Sequence, residues 1–139
     1  MAEQIQIGIN RIYVKDLSFE SPAAPGLFNR EFQPEIKVDI AVKQLELEGS
    51  LFEVTLEVIA KGTFEGKTCF IAEVEQAGLF FIQGVAAEQM NHVLRVYCPN
   101  ILFPYARQAI DTAMNQGSFP SLLLPSFNFE SLLRSPQSN

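Results

Sequence analysis

The sequence predicts an α+β fold: a four-stranded antiparallel sheet followed by helices that pack on one of its faces. Two observations carry this. Apolar residues recur with period two through the first half of the chain and with helical spacing through the second. The first-half segments are also joined by short turns, whereas parallel neighbours would need helical crossovers.

The first strand opens with Ile5, Ile7 and Ile9 interleaved with Gln6 and Gly8, after which Ile12 and Val14 take the other parity. A bulge near Asn10 and Arg11, or burial on both faces, accounts for the slip. Ser21-Pro22-Ala23-Ala24-Pro25-Gly26 is a turn-rich break that ends it. The second strand alternates Ile36, Val38, Ile40 and Val42 with Lys37, Asp39 and Lys43, the pattern of a strand wet on one face. After a turn at Gly49 and Ser50, Phe52, Val54, Leu56 and Val58 alternate with Glu53, Thr55 and Glu57. Residues 61–67, with Gly62 and Gly66, connect this third strand to a fourth that runs from Thr68 to about Gln76. Phe70, Ala72, Val74 and Gln76 form one face of that strand; Cys69, Ile71, Glu73 and Glu75 form the other.

The period then changes. Met90, Val93, Leu94 and Tyr97 recur at helical spacing over residues 87–97. Pro99 suits the first turn of a second helix, predicted to run to Asn115 with Gly117 ending it. Pro104 lies in that helix's interior, where it removes a backbone bond and should kink the axis. Residues 118–129 are strongly apolar, yet Pro120 and Pro125 forbid a continuous helix, so this segment lies on something or walls a groove. Asn128 is placed to cap a short last helix over 129–133, and residues 134–139 read as a frayed polar tail. Residues 1–139 therefore form a single domain, long enough to bury roughly 70% of its unfolded surface.

Composition narrows the function. With 47% apolar and 19% charged residues the chain is globular. Its 12 Phe against no Trp either fill a core or line an open apolar surface. A net charge of −6 without a basic cluster disfavours nucleic-acid binding. No secretory apolar region opens the chain and no run suits a bilayer span; with only Cys69 and Cys98, a reducing cytoplasm and two free thiols are expected.

Catalytic chemistry is scarce. His92 is the one histidine and has no metal-ligand spacing to either cysteine, so no metal is expected. His92 and Cys98 are six residues apart, on different sides of a continuous helix, which disfavours a nucleophile–base pair. Gly62-Thr63-Phe64-Glu65-Gly66-Lys67-Thr68 is too short for a phosphate loop and joins strands. Glu73 and Glu75 share a sheet face that reads as exposed, which does not single them out as an acid–base pair. The sequence reads as no enzyme and calls for no cofactor.

The decapeptide Cys98-Pro99-Asn100-Ile101-Leu102-Phe103-Pro104-Tyr105-Ala106-Arg107 strongly resembles the signature of the SecB protein-export chaperones of bacteria. Three further blocks follow in family order. Arg11-Ile12-Tyr13-Val14-Lys15-Asp16-Leu17-Ser18-Phe19-Glu20-Ser21-Pro22 is similar to the N-terminal strand, and Phe70-Ile71-Ala72-Glu73-Val74 to the third strand. Gly117-Ser118-Phe119-Pro120 through Phe127-Asn128-Phe129 resembles the crossover loop and the start of the last helix. The resemblance implies an ATP-independent chaperone, a homotetramer built as a dimer of dimers. It implies that unfolded precursor proteins are held and delivered to the SecA motor of the translocase, with no nucleic acid or membrane insertion involved. A SecB-like chaperone dedicated to an antitoxin is the related alternative.

By that resemblance Asp16, Glu20, Ile71 and Glu73 are the residues that dock SecA, an acidic face around one apolar residue suiting a basic surface. The same resemblance implies that Phe70, Ala72, Val74 and Gln76 face the helical layer and the assembly contacts. For extended client segments the candidates are Phe119, Leu122, Leu124 and Phe127, with Phe32 as a wall; the same side chains would also serve simply to pin the loop. Family members often end in a longer tail that contacts SecA; Ser131-Leu132-Leu133-Arg134-Ser135-Pro136-Gln137-Ser138-Asn139 is short and lacks acid, so the sheet face is expected to carry more of the docking.

Overall fold

A computed structural model describes residues 4–29 and 33–134. Four strands are joined in the order β1-β4-β3-β2, every neighbouring pair antiparallel. They are β1 (Gln6–Glu20), β2 (Glu35–Glu46), β3 (Leu51–Phe64) and β4 (Lys67–Gln83). The register slips between Ile9 and Arg11, where the parity of the sequence changes, and again between Val14 and Asp16. These two bulges explain how one strand carries apolar residues of both parities toward the same face. Ile9 pairs with Phe80, Ile12 with Gly78, Val14 with Gln76 and Leu17 with Val74.

β4 is longer than its alternation suggests. Beyond Gln76 it continues through Ala77, Gly78, Leu79, Phe80, Phe81 and Ile82, all of them at least half-buried. With both faces covered, the wet-dry pattern that marks a strand disappears.

The helices lie on one face of the sheet. α1 (Ala87–His92) does not stop before Pro99. It widens into a π turn, Val93–Tyr97, in which the Cys98 N–H donates to the Val93 carbonyl, and continues as α2 (Cys98–Gln116). Pro99 has no N–H to return to the Arg95 carbonyl, and the chain loosens there instead of breaking. Pro104 lies inside α2, and both it and Asn100, whose carbonyl it fails to serve, are exposed, so water can take that bond. α2 packs its buried residues Leu102, Ala106, Ile110 and Met114 onto Val54, Leu56, Val58, Phe70, Ala72 and Val74 in one core cluster. Gly78 lets the helix approach: a Cβ there would lie 2.6 Å from the Phe80 ring and 3.0 Å from Leu102.

Gly117 ends α2, but the left-handed residue is Ser118, with φ of 66°. Glycine is needed at 117 for space, since a Cβ there would sit 2.4 Å from the Phe19 ring. After the apolar loop, Asn128 Oδ1 accepts the Glu130 N–H at 3.0 Å and opens α3 (Phe129–Arg134). No helix among the described residues is long and apolar enough to cross a membrane.

Candidate client groove and docking face

The crossover loop has a closed end and an open end. At the closed end Phe119, 5% exposed, is the hub of an aromatic cluster. Its ring lies 6.0 Å from Phe19, 6.0 Å from Phe28 and 5.3 Å from Phe70. At the open end Leu124, Pro125, Ser126 and Phe127 face Val38 and Ile40 of β2 across a cavity of about 190 Å³ that Phe103 of α2 also lines. Leu124 is nearly buried at 7% exposure, whereas Leu122 and Phe127 are half-buried. Phe127 stands edge-on to buried Phe129 at 4.9 Å, and Phe129 meets Phe103 at 6.2 Å. The structure thus brings Leu124 and Phe127 together at one cavity and places Phe119 apart from them. Phe32, the proposed wall, lies outside the described residues. Val38, Ile40 and Phe103 are the lining residues the sequence did not single out. Their apolar character was plain, but only the tertiary packing puts them beside the loop.

On the opposite face of the sheet, register aligns the acids. Asp16 pairs with Glu75, Ser18 with Glu73, and Glu20 with Ile71; Glu75 and Glu73 in turn pair with Glu57 and Ile59 of β3. Asp16, Glu57, Ile59, Glu73 and Glu75 line one shallow concavity of about 210 Å³. Asp16 and Glu20 are exposed, Ile71 and Glu73 half-buried. The Ser18 hydroxyl donates to Glu73 at 3.3 Å and Lys43 pairs with Glu57 at 2.6 Å. The four residues expected to dock a partner therefore share one face. Period two already placed Glu75 with them; Glu57 and Ile59 required the strand register.

Farther along the same face, Tyr13 donates to Glu53 and Lys15 pairs with it at 2.8 Å, so β1 reaches over β4 to β3. Lys15 first, then Tyr13, holds the Glu53 carboxyl below its ordinary value, while burial and then Glu53 push Tyr13 up to about 12. Of the helix-facing residues, Phe70, Ala72, Val74 and Gln76 are all buried within the single chain. Gln76 Nε2 donates to the Tyr13 carbonyl at 3.1 Å, and its Oε1 has no partner among the described residues. Beside them the same face stays open, with Ile9, Val14 and Leu17 of β1 and Tyr97 and Tyr105 of the helix exposed.

The thiols do not suit nucleophilic chemistry. Cys98 is fully buried, which pushes it up to about 12, and burial raises Cys69 as well. His92 is occupied by Glu130 at 2.5 Å. No group of side chains among the described residues could hold a metal ion.

Across residues 1–139 the chain matches the family model described as preprotein translocase subunit SecB. The chain belongs to the SecB family. It is 48% identical over 93% of its length to the protein-export protein SecB of Chromohalobacter salexigens, covering 80% of that relative. It is 45% identical over 94% of its length to the protein-export protein SecB of Legionella pneumophila, again covering 80% of the relative. Among solved structures, a SecB-like chaperone of Mycobacterium tuberculosis, in complex with a peptide from an antitoxin, superposes with a TM-score of 0.67. That alignment covers 87% of this chain and 90% of the other at 18% identity, a likeness of fold. Membership of the SecB family makes the chain a protein-export chaperone, and the four-stranded sheet with helices on one face is the SecB-like architecture.

Proposed function

We propose that the protein holds unfolded precursor polypeptides in the cytoplasm as a homotetramer, without ATP, cofactor or catalytic step, and hands them to the SecA motor of the translocase. The observation that carries this reading is the division of labour between the two sides of the sheet. One side offers an apolar cavity between β2 and the crossover loop, where Phe127, Val38 and Ile40 are only half-covered. The other offers rungs of acid, Asp16 with Glu75 and Ser18 with Glu73, around Ile59 and Ile71. Holding a chain needs apolar burial and backbone contacts rather than chemistry. A negative plate around apolar side chains suits a basic docking surface and speeds the encounter.

Assembly is favoured by the apolar surface left open on the helix side: Ile9, Val14, Leu17, Tyr97 and Tyr105. The leftover acceptor at Gln76 Oε1 lies on that side too. The helix layer would then be sandwiched between two sheets. Sedimentation should give about four times the 15.5 kDa chain mass, and the protein should slow refolding of a precursor in the absence of ATP. A stable monomer that leaves refolding unchanged would refute the proposal.

A further inference from the structure

The crossover loop, residues 118–128, has no helix or strand and two prolines; past its first two residues, whose N–H groups donate to the Asn115 and Met114 carbonyls, four hydrogen bonds to side chains hold its backbone. All four involve side chains on one face of α2. Asn115 Nδ2 donates to the Phe119 carbonyl at 3.0 Å. Asp111 Oδ1 accepts the Leu122 N–H at 3.0 Å and the Leu123 N–H at 3.4 Å. Arg107 Nη1 donates to the Leu124 carbonyl at 3.4 Å. Positions four apart stack on one helix face, so 107, 111 and 115 form a column, and the loop runs down it from Phe119 to Leu124, antiparallel to α2. The Ser121 hydroxyl adds a bond to Asn115 Oδ1 at 3.4 Å.

Leu123 shows what this column holds in place. Its φ of 53° is left-handed, a conformation disfavoured for leucine, and its side chain is 73% exposed. An exposed apolar side chain has little packing to hold such a backbone, and its N–H is bound to Asp111. The column also connects to the cavity. The Arg107 guanidinium lies 5.9 Å over the ring of Phe103, which lines the cavity together with Leu124, the residue whose carbonyl Arg107 binds.

We propose that Arg107, Asp111 and Asn115 are positioning residues, a polar ladder that fixes the crossover loop as a preformed wall of the client cavity. The inference rests on the reading of that cavity as the client groove. A wall that is already ordered spares the ordering cost that a loose loop would impose on each binding event. Asp111 is the central rung because one carboxylate oxygen serves two successive amides.

The test compares wild type, Asp111→Ala and Asp111→Asn in the full chain by amide hydrogen exchange and by titration with a reduced, alkylated, permanently unfolded polypeptide. In Asp111→Ala the Leu122 and Leu123 amides should exchange about tenfold faster, while Val58 and Val74 in the sheet keep wild-type protection. Affinity for the polypeptide should fall about three- to tenfold. Asp111→Asn, which keeps a side-chain oxygen acceptor, should restore both. If Asp111→Ala does not fold, Asp111→Glu, which displaces the acceptor by one methylene, should show the same two losses. Wild-type protection at Leu122 and Leu123 in the alanine variant would overturn the ladder. Faster exchange with unchanged affinity would overturn its role in client binding. A wild-type protein that binds no unfolded polypeptide would sink the groove reading beneath the proposal, and the exchange data distinguish that failure from a ladder that does not form.

Discussion

The two ends of the crossover loop are built from the same kinds of residue and do opposite things. Phe119 is enclosed by three other phenylalanine rings, whereas Phe127 shares a half-open cavity with β2. The difference arises in what each ring meets across the fold. Phe119 lands where Gly117 leaves room for Phe19, beside Phe70 of β4, and closes the core. Phe127 lands over the edge strand β2, where no further strand among the described residues completes the wall. Apolar residues at one end of the loop are buried in the core, and at the other they stay half-exposed beside β2, where we place the client.

The sharpest way to break this comparison is to truncate each ring. Phe119→Ala should cost about 3–5 kcal/mol of stability by leaving a cavity in the aromatic cluster. Phe127→Ala should cost much less and should act mainly on binding. Denaturant melts of the two variants check this, and equal losses would remove the distinction.

Next in size is the effect on the opposite face of the sheet. Glu73→Lys puts a cation among Asp16, Glu57 and Glu75 and should weaken SecA binding by about tenfold or more at low salt. Assembly and client holding should be unchanged. A titration of SecA against the assembled variant is decisive, because unaltered affinity would reject the docking face.

The core under the π turn gives a pH signature. Cys98 is raised to about 12 by burial, from an ordinary value of 9.0. Above about pH 9 the unfolded chain releases the thiol proton while the folded chain keeps it. Stability therefore falls as the pH rises, by about 1.4 kcal/mol per pH unit, until the folded value is reached. Below pH 9 this contribution is complete. Chemical denaturation between pH 8 and about 11 should show this decline, and Cys98→Ala should flatten it. The slope that remains belongs to Cys69, also raised by burial, and at the highest pH to Tyr13, raised to about 12. Tyr13→Phe, which removes the bond to Glu53 but leaves Lys15 in place, is the smallest change, at about 1 kcal/mol.

The sequence made the outer face nearly readable. Period two separated Ile71, Glu73 and Glu75 from Phe70, Ala72, Val74 and Gln76, and the parity change at Asn10 and Arg11 marked a real bulge. The groove was only half readable. Pro120 and Pro125 showed that an apolar stretch could not be helical, but nothing local revealed that Phe119 would be enclosed, or that Val38, Ile40 and Phe103 would face Phe127. Those are long-range placements. The end of β4 was missed because burial on both faces erases alternation. The continuity of the helices was missed because Pro99 looks like a helix start, while a π turn carries the chain past it. The ladder of Arg107, Asp111 and Asn115 was hidden as well, since a polar residue every fourth position on a helix ordinarily signals a solvated face.

The account stands on the independence of the two faces, with client segments taken beside β2 and the motor met by acids across the sheet. The direct measurement is a calorimetric titration of wild type, Phe127→Ser and Glu73→Lys with a permanently unfolded polypeptide, without nucleotide. The account predicts wild-type affinity for Glu73→Lys and at least about tenfold weaker binding for Phe127→Ser. Equal binding by all three, or a loss confined to Glu73→Lys, would contradict it.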